Sequence, residues 1–467
     1  MRALLLMGVL TALATGCSFT TAAGLDQCQT SADCGEDKVC TQNLCLPLPT
    51  GCGKIYGSSD ANAIQLGALF PIHTSTDPDA GVDDSDEQAS NAMQLALEQI
   101  NQRGILGKPV AMNFCDTSAD VERAKKQADW LVNEKKVPAI MTAGSSQTLG
   151  VATVTIPANV LVMAYSASSP ELTSLSDKNG GTVGLVWRTA PSDAIQGSVI
   201  VNLLRNDSRF GNPKKVAILY VDDPYGQGLS DTISTLLSSG TSPIPNRGFG
   251  YDRHGDVNTA LDNLNTYDPD LTVLVAFADD ATNIITAAST RSNLKRTTPV
   301  THRWFFSDSV KDADVLSNPA VAAQIVDFYG TAPAQGAGPA FRTFQDSFQG
   351  RFGKDPSDYA YTSNAYDAMY LLALSAVYSQ GTSGSVTGVK MAEGLTKVST
   401  GDTITQLTSS NFTSLSTSLS TGQSVNVAGA SGNLDFNDAG EAPAPMELWQ
   451  VKNSTFLTVS SNNEPPP

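Results

Sequence analysis

Histidine is scarce in this chain: His73, His254 and His302 are the three in 467 residues, and no two stand at metal-ligand spacing. A phosphate-cradling G-x-x-x-x-G-K-[ST] loop is missing, and so is a G-x-S-x-G nucleophile elbow; GTSGS from Gly381 lacks the final glycine. Hydrolytic and nucleotide-driven chemistry therefore has no visible carrier, and the expectation is a protein that is not an enzyme, with no metal and no cofactor. Positive charge is also short. Lys and Arg total 29 against 46 Asp and Glu, a formal charge of -17, which opposes a basic face for nucleic acid or for an anionic bilayer. Beyond the first seventeen residues, no apolar run approaches the ~18–20 residues that cross a membrane as a helix.

Those seventeen residues, MRALLLMGVLTALATGC, combine one basic residue, a short apolar core and small residues before Cys17, the layout of an export signal. Ala14-Thr15-Gly16-Cys17 resembles a lipobox, with Ala14 where Leu is usual, so Cys17 is the expected lipidation site and any membrane attachment is by lipid alone. Six further cysteines, Cys28, Cys34, Cys40, Cys45, Cys52 and Cys115, are an even number in an exported chain and point to disulfides. The span from Cys28 to Cys45 is too short and polar to bury a core, so two internal bridges are the expected source of its order. Zinc is the rival, but Cys-x5-Cys-x5-Cys-x4-Cys lacks the close pairs of most zinc sites. Cys52 and Cys115 are then left to pair, which adjacent first and second strands would allow.

From Ile64 the pattern becomes regular. A strand over Ile64–Phe70, a helix opened by Ser85-x-x-Gln88 in the manner of a capping box, a strand from Val110, a helix with Val121, Ala124, Ala128 and Leu131 on one face, and strands at 139–143 and 160–164 alternate as in a parallel, doubly wound sheet. After Trp187-Arg188-Thr189-Ala190-Pro191 the alternation restarts, with a helix near 193–205, strands at Val216–Val221, Leu271–Phe277 and Trp304–Ser307, and a helix from about Gly228. Two helices follow, Phe341–Phe352 and Tyr359–Tyr378, then Ser/Thr-rich loops or short strands over Ser399–Ser424. The fold class expected is α/β: two doubly wound, Rossmann-like lobes behind a small Cys-rich module.

The chemistry-bearing feature is a pair of hydroxyl clusters. The strand at 139–143 runs into Gly144-Ser145-Ser146, and the next runs into Tyr165-Ser166-Ala167-Ser168-Ser169. In open parallel sheets ligands bind beyond the carboxyl ends of strands, where helix N-termini converge, and serines there can donate to an anion without carrying charge. Each serine could equally cap a helix. The run DPDAGVDDSDE, Asp77–Glu87, reads as a solvated loop rather than a calcium site, because it lacks EF-hand ligand spacing.

Taken in order, these segments resemble the type I periplasmic binding proteins, in particular the branched-chain amino acid (Leu/Ile/Val) binding group. The resemblance rests on Ala68-Leu69-Phe70-Pro71, on Ala96-Leu97-Glu98-Gln99-Ile100-Asn101 with Gly104 and Gly107, on Ser168-Ser169-Pro170-Glu171-Leu172-Thr173, on Asp222-Asp223-Pro224-Tyr225-Gly226-Gln227-Gly228, and on Gly432-Asn433-Leu434-Asp435-Phe436. It covers about residues 62–460 and implies a Venus-flytrap closing over a ligand. The expected organisation is a signal at 1–17, a Cys-rich module and linker at 18–61, lobe 1 from 62–190 plus about 333–431, lobe 2 from 191–332 plus about 432–460, and a disordered tail at 461–467.

By the same resemblance Ser145, Ser146, Ser166 and Ser168 fall on carboxylate contacts of an amino acid ligand. Asp193 falls on an acceptor for its ammonium, with a helix N-cap as the alternative; Tyr225 falls on an aromatic closing from the second lobe, with a turn residue as the alternative; Asp308 lies near a second acidic contact. Three departures stand out. Ala278-Asp279-Asp280 replaces a ligand-facing Tyr, Tyr165 replaces a common Pro, and the loop from Ile72 to Asp86 is longer and more acidic. These changes favour a larger or more cationic ligand than leucine.

The function this implies is a lipid-anchored, extracytoplasmic solute-binding protein that passes an amino acid or similar small polar ligand to an ABC transporter permease, facing the periplasm or cell surface. A ligand-sensing module of the same fold is the alternative, favoured slightly by the disulfide-rich leader, and an amidohydrolase-like enzyme stands third.

Overall fold

The computed structural model describes residues 27–29, 33–35, 38–41 and 43–465; the expected signal segment with Cys17 lies outside them. The chain divides into two compact units, one ending at Leu48 and one beginning at Pro49. In the first, strands β1 (Lys38–Thr41) and β2 (Leu44–Pro47) pair antiparallel, and bridges Cys28–Cys40 and Cys34–Cys45 supply the two internal links.

The second unit holds two sheets. Strands β3 (Cys52–Gly57), β4 (Ile64–Phe70), β5 (Val110–Asp116), β6 (Ala139–Thr142), β7 (Leu161–Ala164) and β8 (Val186–Arg188) assemble in the order β3-β5-β4-β6-β7-β8. All pairs are parallel except β3 against β5. Residues 52–57, expected within the Cys-rich module and linker, are therefore an edge strand, and Cys52 opposite Cys115 in that register forms the third bridge. Four-residue strands such as Ala139–Thr142 and Leu161–Ala164 are buried throughout, as strands covered by helices on both faces must be.

The second sheet contains β9 (Val216–Val221), β10 (Asn246–Tyr251), β11 (Leu271–Val275), β12 (Arg303–Phe306) and β13 (Tyr329–Pro333). After a short parallel pair, β14 (Ile404–Gln406) and β15 (Asn426–Ala428), the strands β16 (Met446–Lys452) and β17 (Thr455–Asn463) complete it in the order β10-β9-β11-β12-β13-β16-β17. The first five are parallel and the last two antiparallel. The last three residues of β17, 461–463, fall in the segment assigned above to a disordered tail; pairing with β16 orders the chain to Asn463, and 466–467 lie outside the described residues.

Each sheet carries its own core. Leu66, Met93, Met141 and Met163 lie in the first with Tyr366 and Tyr370, which belong to the helix Thr362–Ser383, buried on nearly every side, as a helix apolar all round requires. Ile218, Leu274, Phe306 and Trp449 lie in the second. The chain crosses between the two at 189–192, again near 334–338, and finally just before Met446. Leu434, Phe436 and Ala442 still pack in the first core, so the return comes later than the expected 432. This last crossover carries one glutamate to each lobe: Glu441 pairs with buried Arg188 at the end of β8, and Glu447 with buried Lys311.

Candidate functional site

The carboxyl ends of β4, β6, β7, β9 and β11 face one cavity of about 380 Å³. Its hydroxyl-rich part is built by the β6 and β7 loops. Gly144 turns the chain at φ 63°, ψ 151° and has no side chain to cap the following helix, Ser145–Thr155; that backbone region is open essentially to glycine alone. A Cβ there would meet nothing within 4 Å; Ser145, Ser146 and Gln147, whose first-turn N–H groups have no partner within the helix, line the cavity. The Gly144 N–H donates to Ser166 Oγ (3.0 Å) and the Ser169 N–H to Ser145 Oγ (3.0 Å), which tie the two loops together. Beneath them, buried Arg188 donates to the carbonyls of Ala167 (3.1 Å) and Ser169 (2.9 Å) and fixes the second loop.

A second polar group is acidic. Asp83 caps the helix Asp84–Asn101 by accepting from the Asp86 N–H. Ser85, expected as the cap, instead sends its N–H and hydroxyl to Asp312 of the second lobe (3.1 and 2.5 Å), and Gln88 turns to Asp84 (2.8 Å). Tyr165, stacked on Phe70 at 4.8 Å, donates its hydroxyl to Asp86. Burial, with repulsion among these acids, pushes Asp83 up to about 8 and Asp312 to about 7, and burial pushes Asp86 to about 6 against the pull of Tyr165 and Arg253. Asp83 and Asp86 keep partial exposure because their open side is the cavity itself.

The second lobe adds Tyr225, Phe277 and Arg253. The rings of Tyr225 and Phe277 lie 5.7 Å apart, and the Arg253 guanidinium sits 3.9 Å over Phe277 with Asp279 3.8 Å away. Contacts between the lobes are closed: Ser146 Oγ donates to Asp223 (2.8 Å), His254 Nε2 meets the Thr74 carbonyl (2.8 Å), and a Cβ on Gly228 would lie 2.7 Å from Pro170.

Of the residues singled out in the sequence, Ser145, Ser146, Ser166 and Tyr225 line the cavity. Ser168, Asp193 and Asp308 do not; they form a buried layer behind it. Ser168 Oγ donates to Asp193 (3.1 Å), and the hydroxyls of Tyr225 and Tyr361 cover the two oxygens of Asp308 (2.8 and 2.7 Å). The helix cap beside Asp193 is Ser192. Burial and the neighbouring Asp308 hold the Asp193 carboxyl well above the usual range. Sequence reading missed Asp83, Asp86, Asp312, Arg253, Phe277 and Tyr361. Asp83 and Asp86 lay in the run taken for a solvated loop, of which Asp77–Asp79, Gly81, Val82 and Glu87 are exposed while 83–86 are half-buried.

A family model described as periplasmic binding protein matches residues 64–432. The chain belongs to that family. Over 398 residues this periplasmic binding protein is 25% identical to the chemotactic signal transduction system substrate-binding protein BasB of Halobacterium salinarum, covering 85% of this chain and 88% of that one. It is 27% identical over 188 residues to the Leu/Ile/Val-binding protein homolog 3 of Brucella melitensis, a match spanning 40% of this chain and 46% of that protein. Among solved structures, the leucine-binding protein LivK of Thermotoga maritima superposes with a TM-score of 0.68 at 17% identity, over 86% of this chain and 99% of the other. The substrate-binding protein LivJ of Streptococcus pneumoniae, in complex with isoleucine, gives 0.64 at 18%, over 85% and 99%. These two likenesses establish the two-lobed fold. The family is one of exported ligand-binding proteins, and the three disulfides accord with an oxidising compartment.

Proposed function

We propose that this periplasmic binding protein captures an amino acid or related small polar ligand between its lobes and delivers it to an ABC transporter permease, held at a bacterial membrane by a lipid on Cys17. The observation that carries the reading is the uncapped helix after Gly144, whose first residues line the interlobe cavity. First-turn N–H groups and the Ser145, Ser146 and Ser166 hydroxyls can take a carboxylate there, at ~1.5–3 kcal/mol for each hydrogen bond to a charged acceptor. Tyr225 would close over the ligand from the second lobe, with Ser168, Asp193 and Asp308 supporting the site from behind. Relatives named for leucine, isoleucine and valine binding support the ligand class.

Isothermal titration with a panel of amino acids tests it: micromolar or tighter binding to at least one is expected, and no binding to any amino acid, amide or small peptide sinks it. A sensing role is the second reading, favoured by the chemotactic relative that matches along most of the chain. Stimulation of a permease–ATPase complex by the loaded protein supports transport; its absence, with docking to a sensory receptor, supports sensing.

A further inference from the structure

Five carboxylates line the cavity, Asp83, Asp86, Asp222, Asp223 and Asp312, against one guanidinium, Arg253. An α-ammonium group needs one acidic partner, so this lining is far in excess of what a neutral amino acid would use. The hydrogen bonds to these acids come from neutral donors: the Asp86 N–H to Asp83, Tyr165 to Asp86, Ser85 and the Asp314 N–H to Asp312, Gln227 to Asp222, and Ser146 with the Gly226 N–H to Asp223. Asp83 and Asp86 each engage a single oxygen in these bonds, which leaves the other for a ligand. Both acids come from lobe 1 and Asp312 from lobe 2, so a cation held among them would be gripped by both lobes at once.

Resting on the reading above, we infer that the ligand is a basic amino acid. Its carboxylate meets the Gly144–Gln147 turn and its side-chain ammonium or guanidinium meets Asp83, Asp86 and Asp312. Phe277 and Tyr225 offer flat apolar faces for the methylene stem between the two.

A pH signature follows. The charges facing the acidic group are Arg253 and Asp279 of the second lobe, the latter beside His254; Asp116 at the end of β5, beside His73; and Asp314 next to Asp312. Within that field the empty site keeps protons that an ordinary carboxylate would have lost, and a cationic ligand must expel them. Affinity therefore rises with pH between about 6 and 8.

Titration of the full chain with L-arginine, L-lysine, L-leucine and agmatine at about pH 8, repeated in buffers of different ionisation enthalpy, tests the inference. Arginine or lysine should bind at least about tenfold more tightly than leucine and than agmatine, which lacks the carboxylate. Binding should release protons and weaken about tenfold or more by pH 5.5. Asp83→Asn, whose side chain can still cap its helix, should cost arginine about tenfold more affinity than it costs leucine. Leucine binding as tightly as arginine and lysine, without proton release, overturns the inference and leaves the amino acid reading intact. Agmatine matching arginine also overturns it, in favour of a plain cation site. Failure of every amino acid overturns both.

Discussion

The hydroxyl group around Gly144 and the carboxylate group around Asp83 lie at the ends of neighbouring strands, β6 and β4, and solve opposite problems. The first presents partial positive charge from first-turn N–H groups on loops tied together by neutral serine hydroxyls, so it needs no counter-charge when empty. The second packs acids within reach of one another, and burial with mutual repulsion keeps protons on them. One is ready for an anion at any pH. The other is ready for a cation only once it has given up protons. A site can thus be preorganised toward both ends of a zwitterion, but the price of the empty state is unequal.

Breaking the comparison from beneath the hydroxyl group should have the largest effect. Arg188→Met removes the buried partner of Glu441 and the donor to the Ala167 and Ser169 carbonyls; an uncompensated buried acid costs about 3–5 kcal/mol, read as a lower midpoint in chemical denaturation and as lost binding. Next comes closure. Gly228 sits in a helix with ordinary backbone angles, and any side chain there runs into Pro170 and Ser169 of the other lobe. Gly228→Leu should weaken ligand affinity by about 100-fold, roughly 2.8 kcal/mol, with little change in circular dichroism or denaturation midpoint; an unchanged affinity would show that the closed contact does not matter.

Ser145→Ala sharpens the comparison more gently, since it strips the acceptor from the buried Ser169 N–H, at about 1–3 kcal/mol, measured as a fall in both stability and affinity at every pH. The smallest effect has the opposite sign. Asp83 is held near 8 in the fold against about 4 in the unfolded chain, so the folded state carries the extra proton between those values and the empty protein loses stability as pH rises through them. Asp83→Asn mimics the protonated acid and should raise the denaturation midpoint at pH 8.5, with no gain at pH 4; a gain independent of pH would mean that the buried charge is not the cause.

Much of this architecture was legible. Continuous apolar runs such as Val216–Val221 mark parallel strands because both faces are covered, and the serines at 145–146 and 166 stood out by their place just beyond two such runs. Strand β10, NRGFGY, was missed because an edge strand with half its residues exposed carries no such run, and Arg253, which follows it, was lost with it. The helix Phe412–Ser420 hid in a Ser/Thr-rich stretch, since only Phe412, Leu415, Ser416 and Leu419 of it are buried. The helix after β9 starts at Pro224, before the expected Gly228, because Asp223 caps it by accepting from the Gly226 N–H. The acids of the cleft were invisible for another reason. Asp312 is some 230 residues from Asp83, and nothing local distinguishes a carboxylate facing solvent from one facing a partner lobe.

The last crossover has a mechanical meaning. Glu441 is clamped by Arg188 and Glu447 by Lys311, a few residues apart and each buried in a different lobe. Pulling either acid free would strand a charge inside protein, so the strap between them can twist but not slide. The jaws therefore share a fixed fulcrum, and the work of opening falls on the interlobe contacts, Ser146 to Asp223, Ser85 to Asp312 and His254 to Thr74.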